Sequence, residues 1–488
     1  MQRLSRRTLA DMAPEVTPPP VAALEAGVGI VHLGLGAFHR AHQAIFTQRA
    51  LGIVPDSWAI SGASLRSAAV HDALGPQDFL YTLLENDGLQ ERASIVGVVR
   101  EAIWAGRDGD ILLARMAAPA TRIITITVTE KGYCHHPATG ELDLAHPDIS
   151  ADLVGGNLPR STIGWIVRGL QERRAAGADG LTVLCCDNMA SNGRTLRGLV
   201  RQFAERIDRS LANWIEDRVA FPSSMVDRIV PAATPASLDH AADVLGLRDE
   251  AAVSTEGFTQ WVIEDDFAAG RPCWEAVGAE LVSDVRPYQE LKLRLLNGAH
   301  SAIAYLGAVL AKPFVADVMA DPQLARFVER LMLEEIAPLT PAPPGYDVTA
   351  YAQALLRRFE NRTLQHRTLQ IAMDGSQKIP VRWLPTLREA QRRGQPADHL
   401  VTALAVWLRF LTGRDEAGRE LPLDDPFAAR LRATVTPVAD DPAALVRAVL
   451  AIEEVFGPDL RRDAVLTDQL TVKLARIFQF GARPALPT

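Results

Sequence analysis

The sequence is short of cysteine. Four occur in 488 residues, at Cys134, Cys185, Cys186 and Cys273, and none forms a CxxC pair. That argues against a disulfide scaffold or a thiolate metal site, and for free thiols in a reducing compartment. Long apolar runs are missing as well: no stretch approaches the roughly 18 residues that a membrane helix needs. The basic N-terminal stretch has acids close behind it and no apolar core, so it does not read as a secretory signal. No basic cluster accompanies the net charge of −8, which leaves no electrostatic footprint for nucleic acid or an anionic membrane. The expectation is a cytoplasmic protein whose partners are small molecules, with monomer or small homo-oligomer left open.

What is present is ordinary globular composition, with 48% apolar and 23% charged residues over a length that suits two large domains. Thr17 and Pro18 to Pro20 form an extended lead-in. Gly29–Leu33 reads as a short buried strand, Gly34-Leu35-Gly36 breaks it, and Ala37–Leu51 reads as a helix. Further β-rich runs are Trp58–Leu65, Ser94–Val99, Arg122–Thr129, Leu181–Asp187, Met225–Val230 and Phe258–Ile263. Plausible helices lie between them, such as Ile163–Ala176 and Leu196–Asp208. Strands alternating with helices indicate a parallel, doubly wound sheet. From Tyr288 onward the periodicity is helical. The expected organisation is an α/β Rossmann-type domain over residues 1–286, followed by a mostly α-helical domain over 287–488.

A glycine turn between a strand and a helix near the N-terminus is where a dinucleotide pyrophosphate sits. Gly34, Leu35, Gly36, Ala37, Phe38 and His39 are the candidate cofactor contacts, although His39 stands where the third fingerprint glycine belongs. A plain tight turn is the bland alternative. His32, His39 and His42 have no carboxylate or cysteine cluster beside them, so no metal site is expected. An acidic residue for the adenosine ribose is missing after the second strand. Arg66 stands there instead, placed to accept a 2′-phosphate, so the cofactor is NAD or NADP.

The segment from Tyr288 to Leu306 carries the most chemistry. At about 100° per residue, Lys292, Asn297 and His300 fall at roughly 0°, 140° and 80° around a helix, within one broad sector. A metal-free hydride-transfer site needs a group to take the alcohol proton and donors to steady the substrate oxygen. A desolvated lysine and an asparagine amide are groups of those types. A solvated face with an incidental Asn and His is the competing reading. Asn188, after the strand Leu181–Asp187, stands where doubly wound sheets bind ligands, although an Asn there also simply forms turns.

Taken together, VHLGLGAFHRAHQ (Val31–Gln43), TVTEKGYC (Thr127–Cys134), Cys186–Asn188 with Asn192-Gly193, MVDRI (Met225–Ile229), WVIEDDFAAGRPCW (Trp261–Trp274), Lys292–Gly307 and IAMDGSQKIP (Ile371–Pro380) resemble the mannitol dehydrogenase family of polyol-specific dehydrogenases. The resemblance implies no catalytic zinc and a site in the cleft between the domains. It gives Lys292 the acid/base role, makes Asn297 and Asn188 stabilise the oxyanion, and has His300 orient substrate hydroxyls. Asp227 and Lys378 match family residues that line the site. Two substrate pairs compete within the family. Lys131 and the run His366-Arg367-Thr368 look like the pattern for D-fructuronate/D-mannonate, with Lys131 and Arg367 as carboxylate partners. The lead-in LADMAPEVTPPP (Leu9–Pro20) looks more like enzymes of D-fructose/D-mannitol. The sugar acid is favoured. A nucleotide-sensing binding protein is the non-enzymatic alternative, and the intact Lys292, Asn297, His300 set argues against it.

The missing acid makes a cofactor prediction. NADP should support turnover within about a hundredfold of NAD, a gap of roughly 3 kcal/mol. Steady-state kinetics with both cofactors checks this, and a stronger preference for NAD contradicts it.

Overall fold

The computed structural model describes residues 1–136, 139–363 and 366–487. The chain divides into two compact units, Met1–Arg286 and Pro287–Thr488. The described strands are β1 (Val28–Leu33), β2 (Ala59–Ser64), β3 (Tyr81–Asn86), β4 (Glu91–Val96), β5 (Val99–Trp104), β6 (Ile123–Ile126), β7 (Thr182–Cys185), β8 (Ser224–Asp227), β9 (Val253–Glu256), β10 (Gln260–Glu264) and β11 (Glu280–Val282). All of them belong to the first unit.

β1, β2, β5, β6 and β7 make one sheet in the order β5-β2-β1-β6-β7, with every neighbouring pair parallel. Apolar, β-branched sequence explains the burial: all four residues of Ile123-Ile124-Thr125-Ile126 are covered, as a strand between two helical layers requires. From β1 the chain moves outward through β2 to β5, then returns to the other side of β1 as β6 and β7. This reversal is the switch point at which doubly wound sheets bind ligands. Parallel register sets Leu33 beside Ile126 and Ile126 beside Cys185. Gly34, Thr127 and Cys186–Asn188 therefore leave the same edge of the sheet.

The structure corrects the sequence reading in three places. Met225–Val230 and Phe258–Ile263 do not extend the parallel sheet; they supply β8 and β10, an antiparallel pair in a separate sheet with β11. Ser94–Val99 is not one strand. It ends β4 and begins β5, and Gly97 between them leaves no room for a side chain: a Cβ there would lie 2.7 Å from Leu24. The expected helix Ala37–Leu51 is two, Ala37–Ala41 and Gln43–Ile53. His42 takes non-helical torsions between them, and its Nε2 lies 2.9 Å from the Gln260 carbonyl oxygen. β3, β4 and β9 form a further three-stranded sheet, the third sheet among the described residues.

The second unit is helical, with one hydrophobic core that includes Leu295, Ile303, Trp383, Leu404, Trp407 and Leu470. At its centre runs Gly298–Val309, all twelve residues of which are buried. It continues the helix Arg286–Lys292 through a π turn at Leu293–Asn297, in which Gly298 N–H donates to Leu293 C=O. Among the described residues, no helix is long and apolar enough to cross a membrane.

Gly34 has φ +99° and a Cβ there would stand 2.0 Å from the Thr127 carbonyl oxygen, whereas a Cβ on Gly36 meets nothing closer than 3.7 Å. Gly34→Ala should therefore cost about 3 kcal/mol of stability and Gly36→Ala under about 1 kcal/mol. Urea unfolding of the two variants checks the contrast, and equal losses contradict it.

Candidate active site

In the first unit the site begins at the turn after β1. Gly34 N–H and Leu35 N–H both donate to the Ala63 carbonyl, at 2.8 and 3.1 Å, which pins the turn to the end of β2. Leu35 is buried and its side chain packs against Gly62, so only its backbone is offered to a ligand. Gly36 is exposed, Ala37 and Phe38 are half-buried, and the helix that starts at Ala37 has first-turn N–H groups without intrahelical partners. Exposed backbone without a side chain at Gly36, whose own N–H turns back to Gly34 O, followed by the free N–H groups of a helix start fits a pyrophosphate.

Beneath the turn lies a histidine stack. The rings of His32 and His39 are 3.4 Å apart and nearly parallel. His32 Nδ1 meets Thr125 Oγ1 at 2.8 Å, and its Nε2 meets Gly34 O and Thr127 Oγ1 at 3.0 Å. His32 thereby ties the turn to β6. Burial pushes it down to about 3 and holds His39 well below its usual range, so both rings are neutral. His39, in the third-glycine position, is fully buried, and neither of its ring nitrogens has a hydrogen-bond partner. Among the described residues no group of three or more His, Cys, Asp or Glu side chains is arranged to hold a metal ion.

The loops after β6 and β7 are joined by Asp187, which sequence reasoning passed over. Its carboxylate accepts from Val128 N–H and Thr129 N–H at 3.0 Å each and from Tyr133 O–H at 2.6 Å. Burial pushes the carboxyl up, and those hydrogen bonds oppose the shift. Asn188, next in sequence, is exposed. Asn192 is structural: its amide donates to Asp187 O and Ser224 O, both at 2.9 Å, and accepts from Ser224 N–H at 3.0 Å. Asp227 is buried at the end of β8, opposite Gln260. Arg66 is exposed two residues beyond β2. The Lys131 side chain lies outside the described residues.

In the second unit Lys292, Asn297 and His300 are each 7% exposed. The π turn changes their spacing. Each residue of a π turn sweeps less than the ~100° of an α turn, so five residues come nearer to one full revolution. Asn297 thus returns towards the face of Lys292, closer than the roughly 140° of an uninterrupted α-helix. Side chains from the helix Gly375–Arg382 and just beyond it hold the turn. Arg382 Nη1 donates to Asn297 O at 3.1 Å and Ser301 Oγ at 3.0 Å, and Trp383 Nε1 donates to Gly298 O at 2.9 Å. Asn297 Nδ2 and His300 Nε2 are buried without a hydrogen-bond partner. Lys378, on the same helix as Arg382, is half-buried with Nζ 3.1 Å from Ile371 O.

His366, not Arg367, joins this group. Its ring meets His300 edge-on at 5.4 Å, and its Nδ1 is buried and unpartnered. Burial and the nearby Lys378 push His366 down to about 4. Burial, followed by His366, Arg358, Arg382 and Lys292, pushes His300 well below its usual range. Arg367 is exposed, with its guanidinium over the Phe314 ring at 5.7 Å. Its backbone is extended at φ −72°, ψ 130°, and neighbouring side chains on extended chain point to opposite sides. The structure therefore does not bring Arg367 to the cluster.

Residues 28–276 match the family model of the mannitol dehydrogenase Rossmann domain, and residues 284–478 match that of the mannitol dehydrogenase C-terminal domain. The chain belongs to the mannitol dehydrogenase family. Members of this family are oxidoreductases that act on CH–OH groups. This member is 42% identical to D-mannonate oxidoreductase of Escherichia coli K12 over 93% of its own length and 94% of that protein. It is 38% identical to mannitol 2-dehydrogenase of Aspergillus terreus, over 94% and 92% of the two chains. Among solved structures it is similar to Pseudomonas fluorescens mannitol 2-dehydrogenase in ternary complex with NAD and D-mannitol. That likeness has a TM-score of 0.89 and 34% identity and covers 99% of both chains.

The buried, neutral histidines predict a loss of stability in acid. A histidine whose folded value is depressed contributes stability above its unfolded value of 6.5, and loses it as pH falls towards the folded value. For His32, near 3 when folded, the loss between pH 7.5 and 5.5 is about 1.4 kcal/mol. The raised carboxyls of Asp187 and Asp249 oppose this loss, so urea unfolding at the two pH values should show a decrease of about that order, and equal midpoints contradict it.

Proposed function

We propose that the protein is an NAD(P)-dependent dehydrogenase that interconverts D-fructuronate and D-mannonate, with Lys292 as the acid/base. A bound NAD(P) would supply the hydride acceptor for the alcohol carbon. The chain's own residues do the rest. Lys292 Nζ receives the hydroxyl proton as the hydride leaves, and returns it in the reverse direction. Asn297 and Asn188 donate to the oxygen as negative charge builds on it. His300 and Asp227 orient further hydroxyls. Gly34 to His39 hold the pyrophosphate, and Arg66 accommodates a 2′-phosphate.

The observation that carries this reading is the pair of buried, unpartnered polar atoms, Asn297 Nδ2 and His300 Nε2, on the helix that buries Lys292. Unsatisfied buried polar atoms are costly, by about 1–3 kcal/mol each, unless a ligand completes them. A polyhydroxylated substrate carries the complementary groups.

The choice of a sugar acid rests on charge. After burial and the neighbouring His366, the strongest influences on His300 are three cations, Arg358, Arg382 and Lys292. A basic field of this kind favours a carboxylate-bearing substrate. Lys378 and Lys131 are the proposed carboxylate partners, and Arg367, set over Phe314, is left out. The mannitol 2-dehydrogenase relatives keep D-fructose/D-mannitol as the second reading.

Two measurements test the proposal. Lys292→Ala should lower kcat by about 10³-fold or more while NADH still binds, as loss of a general base requires; near-normal turnover in that variant removes the mechanism. NADH oxidation should be faster with D-fructuronate than with D-fructose, and the reverse order transfers the assignment to mannitol.

A further inference from the structure

Asp187 sits two residues beyond β7, is 9% exposed, and takes three hydrogen bonds from one loop, Thr127–Cys134. That loop is not relaxed. Thr129 has φ +69°, a left-handed conformation that a β-branched residue adopts only when its surroundings impose it. The carboxylate captures Val128 N–H and Thr129 N–H together, at the strained residue itself, and Tyr133 O–H closes the loop from its other end.

The loop is also coupled to the glycine turn. Thr127 Oγ1 donates to Gly34 O at 2.9 Å, and Thr127 N–H donates to Leu33 O at 2.9 Å. A continuous chain of contacts thus runs from Gly34 through Thr127, Val128 and Thr129 to Asp187, and ends beside Asn188. It crosses the switch-point edge of the sheet from the pyrophosphate side to the far side of the crevice. Two oxygens accept from three donors, Val128 N–H, Thr129 N–H and Tyr133 O–H. The charge is spent on the geometry of the loop.

We propose that Asp187, with Tyr133, is a clamp that fixes the Thr127–Cys134 loop as the seat for the nicotinamide half of the cofactor, and so holds Asn188 in register with it. Asp187 is a positioning residue. It acts through the loop; the pyrophosphate turn at Gly34–His39 touches that loop at Thr127 but is anchored independently by the Ala63 carbonyl and His32, so it depends on Asp187 far less. The inference rests on the dehydrogenase reading above for its substrate, but not for its binding test.

The test compares NADH with ADP-ribose, which lacks the nicotinamide, by fluorescence titration of the full-length protein. Asp187→Asn keeps the volume and turns one acceptor into a donor that faces N–H groups. In the parent, NADH should bind more tightly than ADP-ribose. In Asp187→Asn that advantage should collapse towards parity, while the ADP-ribose Kd stays within threefold and kcat falls about 100-fold, the scale of a small misplacement at the reacting atoms. Tyr133→Phe removes one donor and should lose about tenfold in kcat in the same direction. Should Asp187→Asn fail to fold, Tyr133→Phe carries the same NADH-against-ADP-ribose comparison.

Two outcomes overturn the inference. One is an unchanged NADH advantage with kcat within threefold of the parent. The other is a parallel loss of NADH and ADP-ribose binding, which marks Asp187 as general scaffolding. Lys292→Ala separates the two claims. If it retains turnover, the proposed chemistry fails and the binding comparison at Asp187 still stands. If it is inactive while Asp187→Asn behaves as the parent, only the clamp fails.

Discussion

The candidate chemistry depends on one irregularity of the backbone: the π turn at Leu293–Asn297. An uninterrupted α-helix would carry Asn297 well away from Lys292. The wider turn brings the amide back towards the amine without moving either residue out of the buried centre of the second unit. Such a turn is rare and must be held. Arg382 and Trp383 hold it by donating to the carbonyls of Asn297 and Gly298. The helix that supplies Arg382 also carries Lys378. Its start at Gly375 leaves no room for a side chain, because a Cβ there would lie 2.7 Å from Tyr305 Oη. Ser376 N–H at the same end donates to Asp425 at 2.8 Å. Backbone geometry and the placing of cationic groups are thus parts of one packing solution.

The first unit solves a different problem, how to keep backbone bare for a charged ligand while its surroundings stay rigid. Positive φ at Gly34 makes the turn, and open space at Gly36 leaves it accessible. Rigidity comes from below, through neutral histidines. His32 bonds to both flanking segments, and His39 stacks on it. A charged imidazolium buried there would face a large desolvation penalty. The same logic governs Asp187: burial is tolerated because its acceptor sites are filled by the loop it organises.

Much of this was legible in the sequence. The strand, the glycine turn and the following helix start follow from residue types and short-range periodicity. So does the concentration of polar groups on the Lys292 helix, because three polar side chains interrupt an apolar pattern. The π turn was not legible, since a count of about 100° per residue assumes the geometry it is meant to find. The choice between His366 and Arg367 needed the local backbone: on extended chain, adjacent side chains point to opposite sides, so the more basic residue of the pair covers Phe314 instead of joining His300. Asp187 looked like a strand-end acid, because its partners Val128, Thr129 and Tyr133 lie more than fifty residues away. β8 and β10 carry strand-like sequence, but nothing local in it tells an antiparallel pair from two more parallel strands.

The central claim is that the Lys292 amine itself exchanges the substrate proton. Chemical rescue tests it most directly. Small primary amines added to Lys292→Ala should restore turnover in proportion to the free-base concentration, with rates that rise with amine basicity, as Brønsted behaviour of a general base requires. That rescue should disappear in Asn297→Ala/Lys292→Ala, where the oxyanion donor is also gone. An inactive, folded Lys292→Ala that binds NADH and that no amine rescues, whatever its size or basicity, would contradict it.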